Sequence, residues 1–472
     1  MNQSQSQSGK FLNDMLIYGV GALGSRLITF LLVPLYTFFV PVAEYGYYDL
    51  YLSVVLVLIG VVCLQMSDGV LKFLINAGND HEERSRIITS ISRTMLCNSS
   101  IVLAVALIVA MFTSVQCLWL IVALTIVMSA YEVQINVYRG LGNNKYFAVA
   151  GILTSVLLLL LSIVFVVWLR LSIEGIFLAN IFARLITLVI IEARLKVLSR
   201  YISRDAFSGK LCREIIFFSL PLMVNGLCWW VIMSNNKFFI SHYIGLAENG
   251  QYAVVLKFAT LLQTVSTIFY KAWQENALQQ YNSPDRDAFF SSIFNGFIYF
   301  LAAMVVVSCF AVKICYPWIV SAEYQQSIVY LYPLAFASMV YAASTFFDLG
   351  YQCAHRTSRS MPSIMLAGVV NLLCNFVLIK WWGTVGIVAS SIISYFVLLA
   401  YRAIETRRYF KVHITTRSWL MLAMVIANGA AFYVSDSLLF NTLYLAAVLT
   451  VLLLFMPRVL RDKLMARLGR RA

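Results

Sequence analysis

Side chains able to do chemistry are few in this chain and unusually placed. Arg26, Lys72, Arg93, Arg184, Lys237, Lys257, Lys271 and Lys313, with Asp68, Glu132, Glu275 and Asp348, each interrupt a run of residues that is otherwise apolar. A charge facing hydrocarbon costs at least about 2.5–3.5 kcal/mol, so such residues turn toward a protein interior or a wet space. None of them assembles into a catalytic set. His81, His242, His355 and His413 stand singly in or beside polar connections, without a metal-binding partner. No GxxxxGK[ST] phosphate loop occurs. Cys63, Cys97, Cys117, Cys212, Cys228, Cys309, Cys315, Cys353 and Cys374 show no CxxC spacing and read as small apolar filler. Only Cys117 and Cys315 fall near the expected outer surface, where a disulfide stays open as an alternative.

The elements that must hold these charges follow from composition. Hydrophobic residues make up 61% of the 472 residues and charged ones 12%, with a mean hydropathy of +0.82. That balance excludes a soluble globular domain. Apolar runs long enough to cross a hydrocarbon layer of about 30 Å recur along the chain. They must be helices, because lipid offers no partner to bare backbone groups, and the short alternating segments of a barrel are absent. Fourteen spans are predicted, near 12–38, 47–76, 86–113, 117–138, 146–169, 173–198, 213–241, 251–280, 288–315, 326–353, 361–379, 384–406, 418–434 and 440–456. The polar start "MNQSQSQSGK" lacks a cleavage site and reads as a short cytoplasmic tail.

Basic residues crowd into alternate connections, such as "HEERSR", "YRGLGNNK", "HRTSR", "ETRRYFKVHITTR" and the tail "PRVLRDKLMARLGRR". In the other set only Arg170 and Lys380 are basic. Positive connections stay cytoplasmic, which places both termini inside and explains the net charge of +14 without nucleic acid.

An internal repeat divides the spans. "AEYGYYDLYLSV" (43–54) matches "AENGQYAVVLKF" (247–258), "VYRGLGNNK" (137–145) matches "GYQCAHRTS" (350–358), and "EGIFLANI" (174–181) matches "VGIVASSI" (385–392). The shared offset, about 204–213 residues, predicts two six-helix lobes of like orientation with a site expected where they face each other. The predicted order is an N-terminal lobe over 1–198, a cytoplasmic linker over 199–212, a second lobe over 213–408, and an appended helix pair with a basic tail over 409–472.

Depth then sorts the charges. Arg93, Lys237 and Lys313 lie near span ends, where their heads can snorkel to the interface. Asp68 with Lys72, and Lys271 with Glu275, have the spacing of helical pairs that hold a span together. Lys257, Thr264 and Lys271 form one stripe on the eighth span, and Gln65, Asp68 and Lys72 another on the second. Such stripes mark either a hydrogen-bonded seam or a watery cavity. Arg26 and Arg184, near mid-span, are expected to face a cavity, with an ion pair from Arg26 to Glu132 or Asp348 as the structural alternative. A guanidinium there fits a diphosphate through paired charge-assisted hydrogen bonds.

The stretch "YGVGALGSRLITFLLVPLYTFFVPVAEYGYYDLY", the exit "NNKFFISHYIGLAENGQYAVVLKF" and the turn "YRGLGNNK" resemble polysaccharide-biosynthesis transporters of the multidrug/oligosaccharidyl-lipid/polysaccharide superfamily, and within it the Wzx-type O-antigen flippases. The fourteen-span layout also resembles the lipid II flippases. The resemblance implies an all-α membrane protein of two pseudo-symmetric lobes around a central cavity. It implies an inner-membrane location and movement of an undecaprenyl-pyrophosphate-linked oligosaccharide from the cytoplasmic to the periplasmic leaflet by a monomeric unit. It places diphosphate contacts on cations of the first and eighth spans, here Arg26, Lys257 and Lys271. Lys72 and Arg184 join these as cavity cations. Relatives carry an acid near Asn236, where this chain has an amide. Trp273, Asn276, Asn371 and Asn375, with Asn225, Trp229, Trp230 and Tyr270, are candidate sugar contacts.

With no cofactor and no ATPase domain, the expected energy source is a coupled H+ or Na+, carried by Asp68, Glu132, Glu275 or Asp348, or else consumption of cargo by a separate polymerase with its chain-length regulator. Two rival readings stay open. A cation-coupled multidrug exporter of the same fold predicts an acidic, apolar cavity, against the basic excess. An O-antigen polymerase or ligase predicts a sizeable outer loop, and every outer connection here is short.

Overall fold

The protein was analysed as a computed structural model that describes Gly24 and residues 28–455. The described chain is helical from end to end, as a backbone without water must be. Its elements are α1 (Leu32–Phe39), α2 (Val42–Val62), α3 (Met66–Asn76), α4 (His81–Phe112), α5 (Leu118–Gly140), α6 (Asn144–Ser162), α7 (Ser172–Leu195) and α8 (Val197–Tyr201). They continue as α9 (Gly209–Tyr243), α10 (Leu246–Gln280), α11 (Arg286–Ile319), α12 (Leu331–Cys353), α13 (Ser360–Thr406), α14 (Thr416–Phe432) and α15 (Leu438–Phe455). A π-helical turn, Ile163–Trp168, extends α6, and a 3-10 segment, Ala322–Tyr330, leads into α12. Eight helical stretches among the described residues are long and apolar enough to cross a membrane. α9 and α10 carry more charge, but at 35 residues each they also exceed the hydrocarbon thickness.

One predicted span changes. The second span, expected as one helix over 47–76, is broken between α2 and α3, where Leu64 (φ 48°) and Gln65 (φ 51°) are left-handed. The eleventh and twelfth spans are the two helices of α13, which part as expected between them at Gly383, whose φ of 54° suits a residue without Cβ. Side-chain oxygens cap the starts of α4 and α14. Asp80 accepts from the Glu82 and Glu83 amides at 2.9 and 3.2 Å, and Thr415 caps α14.

The chain divides into two compact units, residues 1–235 and 236–472, with the division inside α9. In the first unit the core gathers Val62, Met66, Leu74, Ile87 and Tyr138, packing α3 and α4 against α5. In the second the core is aromatic. Trp273 stacks on Phe346 at 4.9 Å and meets Phe290 edge-on at 4.9 Å, while Phe410 closes the cluster from beyond α13. α14 and α15 pack on α11, so 50% of the apolar window of α11 is buried, against 11% for that of α4.

Candidate functional site

In the first unit the buried polar groups converge on Arg184. One turn of α7 sets it over Asn180, to which Nη1 donates twice, at 3.0 Å to the carbonyl and 2.9 Å to the amide oxygen. Asn180 in turn donates to the Tyr48 hydroxyl at 3.1 Å. The guanidinium lies 6.0 Å from the Tyr131 ring, and Thr154 ties Tyr131 to Thr187 with bonds of 3.1 and 3.0 Å. Arg184 is thus solvated by protein rather than by lipid, as its depth requires. It interacts electrostatically with Glu132 without an ion pair between the two.

Next to this seam the break between α2 and α3 opens a cavity of about 280 Å³, lined by Gln65, Ser67, Met128, Glu132, Gly226 and Trp230 among others. Gln65 donates to Asp68 at 3.2 Å. Lys72 does not pair with Asp68 as its spacing predicted. Its ammonium sits 3.8 Å over the Phe218 ring, and both Lys72 and Asp68 are exposed. The expected stripe of Gln65, Asp68 and Lys72 on one continuous helix is therefore interrupted at its first member.

In the second unit Asp348 has a partner the sequence reading missed. Arg402, only 3% exposed, bonds Asp348 at 2.9 Å and also reaches Ser363 at 3.0 Å. Ser360 completes the group by donating to Asp348. Arg402 lies inside the predicted twelfth span next to a basic connection, and no local pattern marks it as a partner of Asp348. Asn371 and Asn375 are 3% and 0% exposed and belong to an amide network. Asn375 donates to Asn236 at 2.9 Å, and Asn236 donates to Ser391 at 2.9 Å and Tyr252 at 3.2 Å. Trp273 is a core aromatic, 3% exposed, while Lys257 is half-buried and Asn276 exposed on α10.

Lys313, expected to reach the interface from near a span end, meets protein groups at the connection between α14 and α15. It is 9% exposed and caps the end of α14, donating to Phe432 and Ser435 carbonyls at 2.5 and 2.9 Å and pairing with Asp436 at 3.0 Å. Arg26 and the side chains of Lys271 and Glu275 lie outside the described residues, and so do the side chains of Asn225 and Trp229.

The repeat seen in sequence recurs as contacts inside each unit. Tyr138 donates to Glu192 at 3.2 Å, and its counterpart Tyr351 donates to Glu405 at 2.7 Å. Gly175 packs so closely on the Phe165 carbonyl that an added Cβ would lie 3.0 Å from it, and the matching Gly386 leaves 2.3 Å to the Leu378 carbonyl. The tyrosine contacts keep one offset and the glycine contacts nearly so, and the two halves share a packing scheme as well as a motif.

Solved structures of multi-pass membrane transporters share this helical plan. An inward-facing multidrug resistance MATE transporter of the MOP superfamily matches with a TM-score of 0.67 and 13% identity, over 84% of this chain and 96% of its own. The lipid II flippase MurJ in an inward closed conformation gives 0.68 and 13% over 95% and 100%. A mutant of the Vibrio cholerae MATE transporter VcmN gives 0.53 and 12% over 86% and 98%. At these identities the likeness is one of fold. No curated protein sequence matches the chain. Residues 11–274 match the profile of the polysaccharide biosynthesis protein family, and the chain belongs to that family.

Proposed function

We propose that the protein flips a polyprenyl-diphosphate-linked oligosaccharide, an O-antigen repeat unit, from the cytoplasmic to the periplasmic leaflet of the bacterial inner membrane, with both termini cytoplasmic. The observation that carries this reading is the family match over residues 11–274 of a chain with the fold of the MOP transporters. Chemistry supports it. Sugars and a diphosphate cannot cross bare hydrocarbon, whereas a polyprenyl tail stays in lipid throughout, so only the head group needs a hydrated route. Two lobes exposing that route alternately would suffice. Arg26 is the proposed diphosphate contact, with Lys257 and Lys271 from the eighth span. Arg184 is better read as a structural cation, since Asn180 already occupies it.

A multidrug exporter is the rival, because solved structures of that activity share the fold. Reconstitution separates the two. Purified protein in liposomes is expected to move a defined lipid-linked oligosaccharide between leaflets while leaving a cationic dye in place, and the reverse result discards the proposal. In cells, Arg26→Ala is expected to abolish O-antigen display with membrane insertion intact, and Arg26→Lys to restore part of it. Normal display by Arg26→Ala removes that residue from the mechanism.

A further inference from the structure

A carboxylate without a hydrogen-bond donor is costly inside a membrane, and Glu132 is such a group. It projects from α5 into the cavity at the break between α2 and α3. Among the described residues its carboxylate accepts no hydrogen bond and joins no ion pair; the Asn136 side chain donates to its backbone carbonyl at 2.9 Å. The charged and titratable groups around it are Arg184 from α7, Asp68 from α3, Cys63 at the end of α2 and Tyr131 on its own helix. Arg184 is committed to Asn180, and Asp68 accepts from Gln65. From α9 the cavity receives Met223, Gly226, Leu227 and Trp230, none of which titrates.

We propose that Glu132 is a proton-carrying site, taking up a proton from cavity water as a neutral carboxylic acid and returning it to water as a carboxylate. The broken helix explains why the occupant is a proton rather than a metal cation. A sodium ion needs several oxygens with free lone pairs, and breaks in membrane helices supply them as bare carbonyls. Here five carbonyls at the break each already accept a hydrogen bond. Ile59, Gly60 and Val61 accept from the Cys63, Gln65 and Leu64 amides at 2.8, 3.2 and 3.2 Å, and Cys63 accepts from Met66 at 2.7 Å. Val62 accepts from the Asn98 side chain at 2.6 Å. Of the described residues lining the cavity, Glu132 is the one that carries a carboxyl, whose own charge state can change. Its use as the drive for transport rests on the flippase reading; its protonation does not.

The test therefore contains no cargo. Infrared difference spectra of the full-length protein in liposomes are recorded through a pH titration. Wild type is expected to show a protonated-carboxyl band that is lost as pH rises, Glu132→Gln to lack that band at every pH, and sodium at constant pH to leave it unchanged. Identical spectra for wild type and Glu132→Gln overturn the proposal, and so does loss of the band on adding sodium but not potassium. Should Glu132→Gln not fold, Glu132→Asp keeps the question decidable, since the band must then shift in frequency. A confirmed band together with failed flipping of lipid-linked sugars would retain the proton site and discard the flippase reading.

Discussion

Arg402 shows how much a single buried charge depends on its partners. It has given up water for Asp348, Ser360, Ser363 and the Ser344 carbonyl, and it holds α12 against both ends of α13. Removing one member of such a pair strands the other. Asp348→Ala is expected to destabilise the protein by about 3–5 kcal/mol, whereas a matched apolar replacement of both residues should be far milder. Thermal unfolding of the purified single and double variants measures the difference. Tyr351→Phe removes only one donor from Glu405, which also pairs with Arg359 and Arg408, and should cost about 1 kcal/mol in the same assay.

At the scale of helices, close approach and capping decide the architecture. Gly386 sits nearer to backbone than Gly175 does at the equivalent crossing, so Gly386→Ala should lower yield and melting temperature well beyond Gly175→Ala. The neighbour in each case is a carbonyl, which cannot swing aside as a flexible side chain would. Lys313 joins α11 to the end of α14, and Lys313→Met is expected to raise hydrogen exchange around residues 432–437 without disturbing the six-helix repeat. α14 and α15 have no counterpart in the first unit, and the corresponding helix α4 keeps Leu103, Leu107, Ile108 and Phe112 exposed, as lipid contact requires.

For the whole molecule, charge distribution sets orientation. Cations concentrate on one alternate set of connections, and that set should face the cytoplasm. Asn79→Cys is expected to react with an impermeant thiol reagent only after permeabilisation, and Gln116→Cys to react from outside in intact cells. Labelling in the opposite sense would invert the topology and with it the direction of transport proposed above.

Hydropathy determined the class and many of the spans, because lipid imposes long apolar helices that announce themselves in composition, and matched motifs marked the repeat. The motif pair at Tyr138 and Tyr351 was readable too, although Glu192 and Glu405, which complete the contacts, carried no local signal. Tertiary structure decided the rest. Leu64 and Gln65 break a helix without glycine or proline to mark the place, Arg402 carries no local sign of the partners that α12 and α13 give it, and Lys313 found carbonyls on a helix more than a hundred residues away. Asn371 and Asn375, legible as sugar ligands, proved to be members of a buried amide network. A residue's period places it on a helix face, but only the neighbour across that face settles whether its polar atoms meet protein, water or cargo.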